Sequence, residues 1–266
     1  MRAVDHSELN PAIDVALLAR IEDAGLNASA PPQQRWMDGW LLRLSPGKAK
    51  RARCVNAVAL GRRSAADKIA QCAAIFDAAG LPLIVRITPF TLPVELDAQL
   101  SEQGLRRFDD TRVMVLPELA LIEAPSLGSN LELRSIALEP FAQRIGALRG
   151  SPLAQRQVHA QRLVNSPVPF FAFELRDSNE VVACGQFALE GDLVGLYDVF
   201  TAPAARGRGR ARMLCQHLLA QARARGAAHA YLQVESDNHF ARTVYFRLGF
   251  CDGYGYHYRT RHPSAA

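Results

Sequence analysis

The chain answers itself across its length. PLIVRIT (82–88) followed by LDAQLSEQGLRRF (96–108) is matched far downstream by AYLQVES (230–236) followed by ARTVYFRLGFCDG (241–253). Each is a short apolar run, then a helical stretch that stops at a glycine, then a second strand-like run. Extended outward, both halves read strand, strand, helix, short buried strand, helix, glycine, strand. An internal repeat narrows the choice of folds more than any single motif does, because each copy is one supersecondary unit. It predicts two α/β units in tandem, and 266 residues are enough for each to bury a core.

Start and stop signals place the elements. In the first half a helix is expected over 11–25, ending at Gly25, after which APPQQ breaks the pattern. WMDGWLLRLS and RCVNAVALG read as strands on either side of PGKAK. Ser64 caps a helix over 65–79 with Gly80 as its stop, LPLIVRIT is a short buried strand, a helix near 93–103 ends at Gly104, and RRFDDTRVMVL is a strand. PELALIEAPSLGSN is rich in turn formers and reads as a linker. The expected division is therefore 1–117, a linker at 118–130, and 131–266. The second unit runs through strand LELRSI, helices near 140–148 and 152–164, and a hairpin of FFAFELR and VVACGQFAL around DSNE. It continues with strand LVGLYDVFT, a helix over 209–225, strand AHAYLQVE, a helix over 238–248 ending at Gly249, and a closing strand GYGYHYRT.

FTAPAARGRGRARML (200–214) joins a strand to a helix. The first amides of a helix lack internal partners and sit at the positive end of its dipole, which makes them an anion site. Gly207 and Gly209 let backbone approach an anion without a Cβ in the way, and arginines fork onto phosphate oxygens. Three phosphate-loop patterns compete. A nucleotide-hydrolysing loop needs Lys and Ser/Thr after its glycines, which are missing here. A dinucleotide fold needs a third glycine where this chain has Arg212. The third pattern, Arg/Gln-x-x-Gly-x-Gly/Ala, is met by Arg206, Gly209 and Ala211. The bland alternative is an ordinary strand-to-helix turn with a basic surface. The matching place in the first half is LGRRSAAD, which lacks the second glycine and carries an acid, so that half reads as a degenerate copy.

Charge bears on what such a loop holds. The formal net charge is +5, yet the segment from Thr201 to Gly226 carries six arginines and no Asp or Glu, which leaves the remainder near neutral. Basicity this local favours a small anionic ligand over a long polyanion. The segment also lacks the interleaved aromatics of a single-strand binder, so no nucleic-acid partner is expected.

A second constellation follows about one strand later. In NHFARTVYFRLGF, residues Asn238, Ala241 and Tyr245 share one helical stripe, and Phe240, Val244 and Leu248 form an adjacent apolar stripe expected to face the core. Taken singly, Asn238 reads as an N-cap, Gly249 as a C-cap and Tyr245 as a half-buried aromatic. Taken together behind the arginine loop, the ordered set resembles the signature of the GNAT acyltransferase superfamily. The resemblance covers roughly 131–258, and the first half is similar to a decayed second unit, as in bacterial tandem-GNAT proteins. GWLLRLSPGKAKRARCVNAV and the ending GYGYHYR are weaker cues to that tandem group.

The resemblance implies two mixed, mostly antiparallel sheets flanked by helices, and acetyl-CoA lying between two splayed parallel strands, here LYDVFT and AYLQVE. It places the backbone of Val199, Phe200 and Thr201 against the pantetheine arm. It gives the pyrophosphate to the amides of Arg206, Gly207, Arg208, Gly209, Arg210 and Ala211, and sets Asn238, Ala241 and Tyr245 about the sulfur end. The activity implied is direct N-acetyl transfer to a small-molecule or peptide amine. The rival is a non-catalytic acyl-CoA-binding module. The protein's task is to position the reactants and stabilise the oxyanion. The Tyr245 hydroxyl would protonate the leaving thiolate. Asp198, Glu235 or bound water would take the amine's proton. The two helices over 140–164 would shape the acceptor pocket.

The remaining signals bound the setting. No apolar run reaches the about 20 residues of a membrane span. The N-terminal stretch shows no leader-like apolar core, so a cytoplasmic protein with no membrane partner is expected. Five cysteines, 54, 72, 184, 215 and 251, are scattered without metal spacing and read as free thiols, with Cys184 and Cys215 as packing. Seven histidines show no ligand spacing either, and no metal is expected. Trp36 and Trp40 read as packing or as the lip of a substrate mouth. Oligomeric state and acceptor identity are left open.

Overall fold

The computed structural model of the chain describes residues 8–120 and 122–262; residues 1–7, where no leader is expected, Leu121 of the linker and 263–266 lie outside the described residues. The first half runs α1 (Val15–Ala28), β1 (Gln34–Met37), β2 (Trp40–Arg43), β3 (Val55–Ala57), α2 (Ala65–Ala78), β4 (Val85–Ile87), α3 (Leu96–Glu102) and β5 (Arg106–Leu116). The second runs β6 (Leu131–Ile136), α4 (Leu138–Leu148), α5 (Leu153–Val164), β7 (Phe170–Asp177), β8 (Glu180–Glu190), β9 (Leu193–Thr201), α6 (Arg210–Arg223), β10 (His229–Glu235), α7 (His239–Phe246) and β11 (Cys251–Thr260). The order matches the repeat read from the sequence, and the caps explain part of it. Ser64 accepts from the Asp67 amide at the start of α2, and Gly80 beyond its end takes φ +66°.

All the strands join one sheet in the order β1-β2-β3-β4-β11-β5-β10-β9-β8-β7-β6. Only β3/β4 and β9/β10 pair in parallel, so the strands are mixed and mostly antiparallel as expected, but they form one continuous sheet where one for each unit was expected, because β5 and β11 join the halves. The last strand of each half lies on the other half. β5 runs along β10, from Leu116 opposite Ala230 to Thr111 opposite Glu235, while β11 runs along β4, from Arg259 opposite Val85 to His257 opposite Ile87. The two exchanged strands then pair with each other from Cys251–Val115 to Thr260–Arg106. Their alternating side chains feed one central core in which Val113 and Val115 meet Tyr254, Tyr256, Tyr258 and the Ile21 face of α1. A buried polar cluster fixes the exchange: Glu22 on α1 forks onto Arg86 of β4 and accepts the Tyr254 hydroxyl of β11 at 2.7 Å. Burial would raise the Glu22 carboxyl, but the charge of Arg86 and the hydrogen bonds from Arg86 and Tyr254 hold it below its ordinary value. Removing one partner of such a pair costs about 3–5 kcal/mol, because the other charge stays buried.

Three local expectations are corrected. WMDGWLLRLS is not one strand but a hairpin: Asp38 (φ +45°) and Gly39 (φ +83°) turn the chain between β1 and β2, as Asp-Gly between apolar runs does. Gly25 does not end α1, which continues to Ala28. A Cβ there would come within 2.9 Å of Gln233, so the glycine serves close packing of α1 on the sheet. Phe240 does not face the core but is 92% exposed, and the side of α7 turned to the core is Ala241, Val244 and the buried Tyr245, with Leu248 buried just past its end.

Candidate active site

β9 and β10 are bonded from Leu193–His229 to Leu196–Leu232 and no further, although β9 continues to Thr201 and β10 to Glu235. Past that point the strands part into a wedge. A β-bulge sharpens it. Between the pairs Gln186–Tyr197 and Cys184–Phe200, β9 holds one residue more than β8, and Asp198 there adopts φ +51°. A left-handed conformation costs a non-glycine residue about 1–3 kcal/mol and persists when the surroundings over-determine it. Three partners do so here: Asp198 accepts from Arg149 at 2.6 Å and from Gln186 at 2.7 Å, and lies 3.2 Å from His159 Nε2. Burial pushes its carboxyl up, but the hydrogen bond from His159 and the charge of Arg149 more than reverse this and hold it well below the usual carboxylate range.

A cavity of about 580 Å³ opens from the wedge. Of the residues expected at the site, Asp198, Val199, Glu235, Asn238, Ala241 and Tyr245 line it; Phe200, Thr201 and the loop 206–211 do not, lying further along the chain toward α6. Tyr245 is 9% exposed, packs edge-on against Phe250 at 6.0 Å, and has its hydroxyl pushed well above its ordinary value by burial. Glu235 is exposed at the end of β10 and carries no ion pair among the described residues. Asn238 caps α7 by accepting the Ala241 amide at 3.1 Å, so the capping reading of that residue holds.

The loop is open. Gly207 and Gly209 have φ +74° and +72°, and a Cβ at either would meet nothing within 4 Å. The first backbone bond into α6 is Met213 to Gly209 at 3.0 Å, and the amides of 207–212 donate to no backbone carbonyl. Its arginines divide. Arg206 and Arg208 are exposed, whereas Arg210 is tied to Asp177 at the end of β7 at 2.9 Å. Orphaned helical amides, glycines with room above them and two exposed guanidiniums, Arg206 donating Nε to the Thr201 carbonyl at 3.4 Å, fit a diphosphate.

The helices α4 and α5 wall the cavity through Ile145, Gly146, Arg149, Arg156, His159 and Arg162, as the resemblance implies. The sequence reading missed its other wall. Lys50, Arg51, Asp109 and Thr111 of the first half, with Tyr256 of β11, complete it. One signal was present: Lys48, Lys50, Arg51 and Arg53 make a second basic cluster inside what reads as a turn. His159 was also missed, since its partners come from three separate segments. The guanidinium of Arg162 faces His159 Nδ1 at 3.4 Å, and His159 Nε2 lies 3.2 Å from Asp198. Trp36 and Trp40 do not line the cavity: Trp40 is core under Lys68 Nζ at 4.5 Å, and Trp36 is exposed. Cys215 is packing, its thiol pushed up to about 12 by burial. Among the described residues no three His, Cys, Asp or Glu side chains gather as a metal site, and no helix is long and apolar enough to cross a membrane.

Residues 130–250, which hold the wedge, the loop and α7, match the model of the acetyltransferase (GNAT) family, and residues 16–134 match the model described as "Probable histone acetyltransferase Rv0428c C-terminal". The chain belongs to the GNAT superfamily. Among curated relatives, the uncharacterized N-acetyltransferase YobR of Bacillus subtilis is 24% identical over 234 residues, covering 86% of this chain and 92% of that protein. Among solved structures, a GCN5-related N-acetyltransferase from Kribbella flavida superposes with TM-score 0.67 at 16% identity, covering 94% of this chain and 96% of the other. A tandem GNAT protein from the clavulanic acid biosynthesis pathway superposes with TM-score 0.59 at 14% identity, covering 76% and 72%. These likenesses extend over both halves, so the tandem GNAT arrangement read from the repeat is the arrangement of the fold.

Proposed function

We propose that this GNAT protein transfers an acetyl group from acetyl-CoA directly to an amine. The division of labour we propose gives the donor to residues 131–266, while the unit at 1–117 supplies one wall for the acceptor. The observation that carries the reading is the wedge between β9 and β10, with Tyr245 and Glu235 lining the cavity and orphaned amides at Gly207–Ala211 beyond its outer end.

Acetyl-CoA bound there brings an already activated thioester. The amides of 207–211 and the exposed Arg206 and Arg208 hold the diphosphate. Val199, Phe200 and Thr201 offer the pantetheine arm the edge of β9 that β10 leaves, where the Thr201 carbonyl accepts from Arg206 Nε at 3.4 Å, and a β9 amide next to the bulge stabilises the oxyanion. Asp198 is already engaged by three donors, which makes it a weak base and a positioning residue for His159 and Arg149. Glu235, the carboxylate without an ion pair, takes the proton from the amine, directly or through water. In the step itself the amine nitrogen bonds to the acyl carbon and the carbon–sulfur bond breaks. Tyr245 gives its proton to the departing sulfur and regains one from solvent, and the amine's proton passes to Glu235 and then to solvent.

Calorimetry with CoA, followed by an acetyl-transfer screen read by release of free CoA, tests the reading. Micromolar-range binding with turnover on an amine is expected. Binding without turnover across a broad amine panel would instead make the protein an acyl-CoA-binding module.

A further inference from the structure

Six cations line the cavity, Lys48, Lys50, Arg51, Arg149, Arg156 and Arg162, against three carboxylates, Asp109, Asp198 and Glu235. Two of the carboxylates are spent locally: Lys50 holds Asp109 at 2.8 Å and Arg149 holds Asp198 at 2.6 Å. Arg51, Arg156 and Arg162 pair with no carboxylate among the described residues. Arg51 donates Nη1 to the Tyr256 hydroxyl at 3.2 Å, and Arg162 donates Nη1 to the Ala28 carbonyl at 2.9 Å. The Nε atoms of Arg51 and Arg156 are buried with no acceptor. A charge taken out of water is costly when unpaired, so three guanidiniums without a carboxylate along one cavity favour a ligand of the other sign there.

The guanidiniums stand where an acceptor has to lie. Tyr256, which Arg51 holds, donates to Gln233 at 2.9 Å, and Gln233 is the first residue of β10 past the last paired one. Arg162 reaches Asp198, two residues past the last paired residue of β9, through His159. The two cations thus mark the root of the wedge from both strands. They also sense each other: burial pushes Arg162 below its ordinary value, Asp198 draws it back, and Arg51 pushes it down again. A planar carboxylate is the group that guanidinium forks bind best in such a setting.

We infer that the acceptor amine carries a carboxylate, held by Arg51 and Arg162 at the root of the wedge, so that the substrate is a small amino acid. The inference rests on the transferase reading above. A cavity of about 580 Å³ suits an acceptor of that size beside the end of the pantetheine arm. A polyamine would meet like charges on the same wall.

The test compares α- and ω-amino acids with their amides, their decarboxylated amines and spermidine, by free CoA release from the full chain, with CoA binding measured in parallel by calorimetry. For the best amino acid, kcat/KM is expected to exceed that of its amide by about 10- to 100-fold, the weight of a charge-assisted hydrogen bond. Arg51→Gln and Arg162→Gln should each raise KM for the acid toward that of the amide while leaving the CoA dissociation constant unchanged, and Arg51→Lys should restore part of the preference. Should one variant fail to fold, the other carries the same comparison, and the acid–amide contrast in the native chain needs neither. Equal rates on acid and amide, a preference for spermidine, or CoA binding without acetylation of any amino acid would overturn the inference. Absence of CoA binding would instead overturn the transferase reading beneath it.

Discussion

Nη1 of Arg51 donates to the hydroxyl of Tyr256 at 3.2 Å, joining the β2–β3 connection of the first half to the last strand of the second. That contact is possible because β5 and β11 are exchanged, and the exchange makes each half structurally incomplete. Separated chains of residues 1–130 and 131–266 would each carry a long terminal strand whose partners are on the other piece. We expect neither piece alone to melt cooperatively, and the mixture to recover a single transition. Circular dichroism melts and size-exclusion chromatography of each piece and of the mixture measure this.

What was legible in the sequence was local. The repeat, the Ser64 and Asn238 caps and the arginine loop each declare themselves within a few residues, because a cap or a positive φ is decided by neighbours in the chain. The Asp-Gly turn at 38–39 was equally local and was passed over in favour of the longer apolar run. The exchange of β5 and β11 had no such signal. Both strands carry alternating patterns that suit either edge, and partner choice depends on contacts such as Glu22–Tyr254, 232 residues apart. The cavity wall around Arg51 was hidden for the same reason, since Arg51, Arg162 and Tyr256 come from three elements. Phe240 failed differently: Val244 and Leu248 of the expected stripe do reach the core, but at the first turn of α7 the smaller Ala241 packs there and Phe240 is left in solvent.

Gly209→Glu should cost CoA affinity more than stability. The new side chain has open space, so the fold loses only the strain of a non-glycine residue at φ +72°, about 1–2 kcal/mol. The carboxylate, however, sits where the diphosphate belongs, at the positive end of α6. A loss of CoA binding of 100-fold or more by calorimetry, with a small shift in Tm, is expected.

Tyr245→Phe should lower kcat by about 100-fold, within the range of general acid catalysis, and leave CoA affinity within about twofold. Because burial raises the hydroxyl above its ordinary value near 10, the residue keeps its proton throughout the neutral and mildly alkaline range. The native pH–rate profile should therefore show no alkaline fall below about pH 10 from this group. Steady-state kinetics with both substrates varied separates the two effects.

Glu235→Gln removes the proposed proton acceptor without removing its bulk. We expect kcat/KM to fall about 10- to 100-fold at neutral pH, and the deficit to shrink as pH rises and the acceptor amine loses its proton unaided. A deficit independent of pH would assign Glu235 to binding instead. The pH dependence of native and variant rates, measured with one acceptor, distinguishes these.

Asp97 anchors β11 to α3 and makes that anchor sensitive to acid. It accepts from Arg259 at 2.6 and 2.8 Å and faces His257 Nε2 at 2.7 Å. Burial raises its carboxyl, but the hydrogen bonds from Arg259 and His257 outweigh that and hold it well below its unfolded value near 3.9. A carboxyl depressed on folding contributes stability that is complete above the unfolded pKa and is lost as pH falls through the folded one. Its contribution should thus be full at pH 7 and decline below about pH 4. With the side chain 34% exposed, solvent screening reduces what the ion pairs are worth, and about 1–2 kcal/mol is a fair expectation for Asp97→Asn at pH 7. The gap between native and variant should begin to narrow near pH 4, where the carboxylate of the unfolded chain takes up its proton while the native one is still ionised. Urea unfolding of both proteins at pH 7, 5 and 3 measures it; a gap that stays constant to pH 3 would mean that the anchor acts through packing and not through charge.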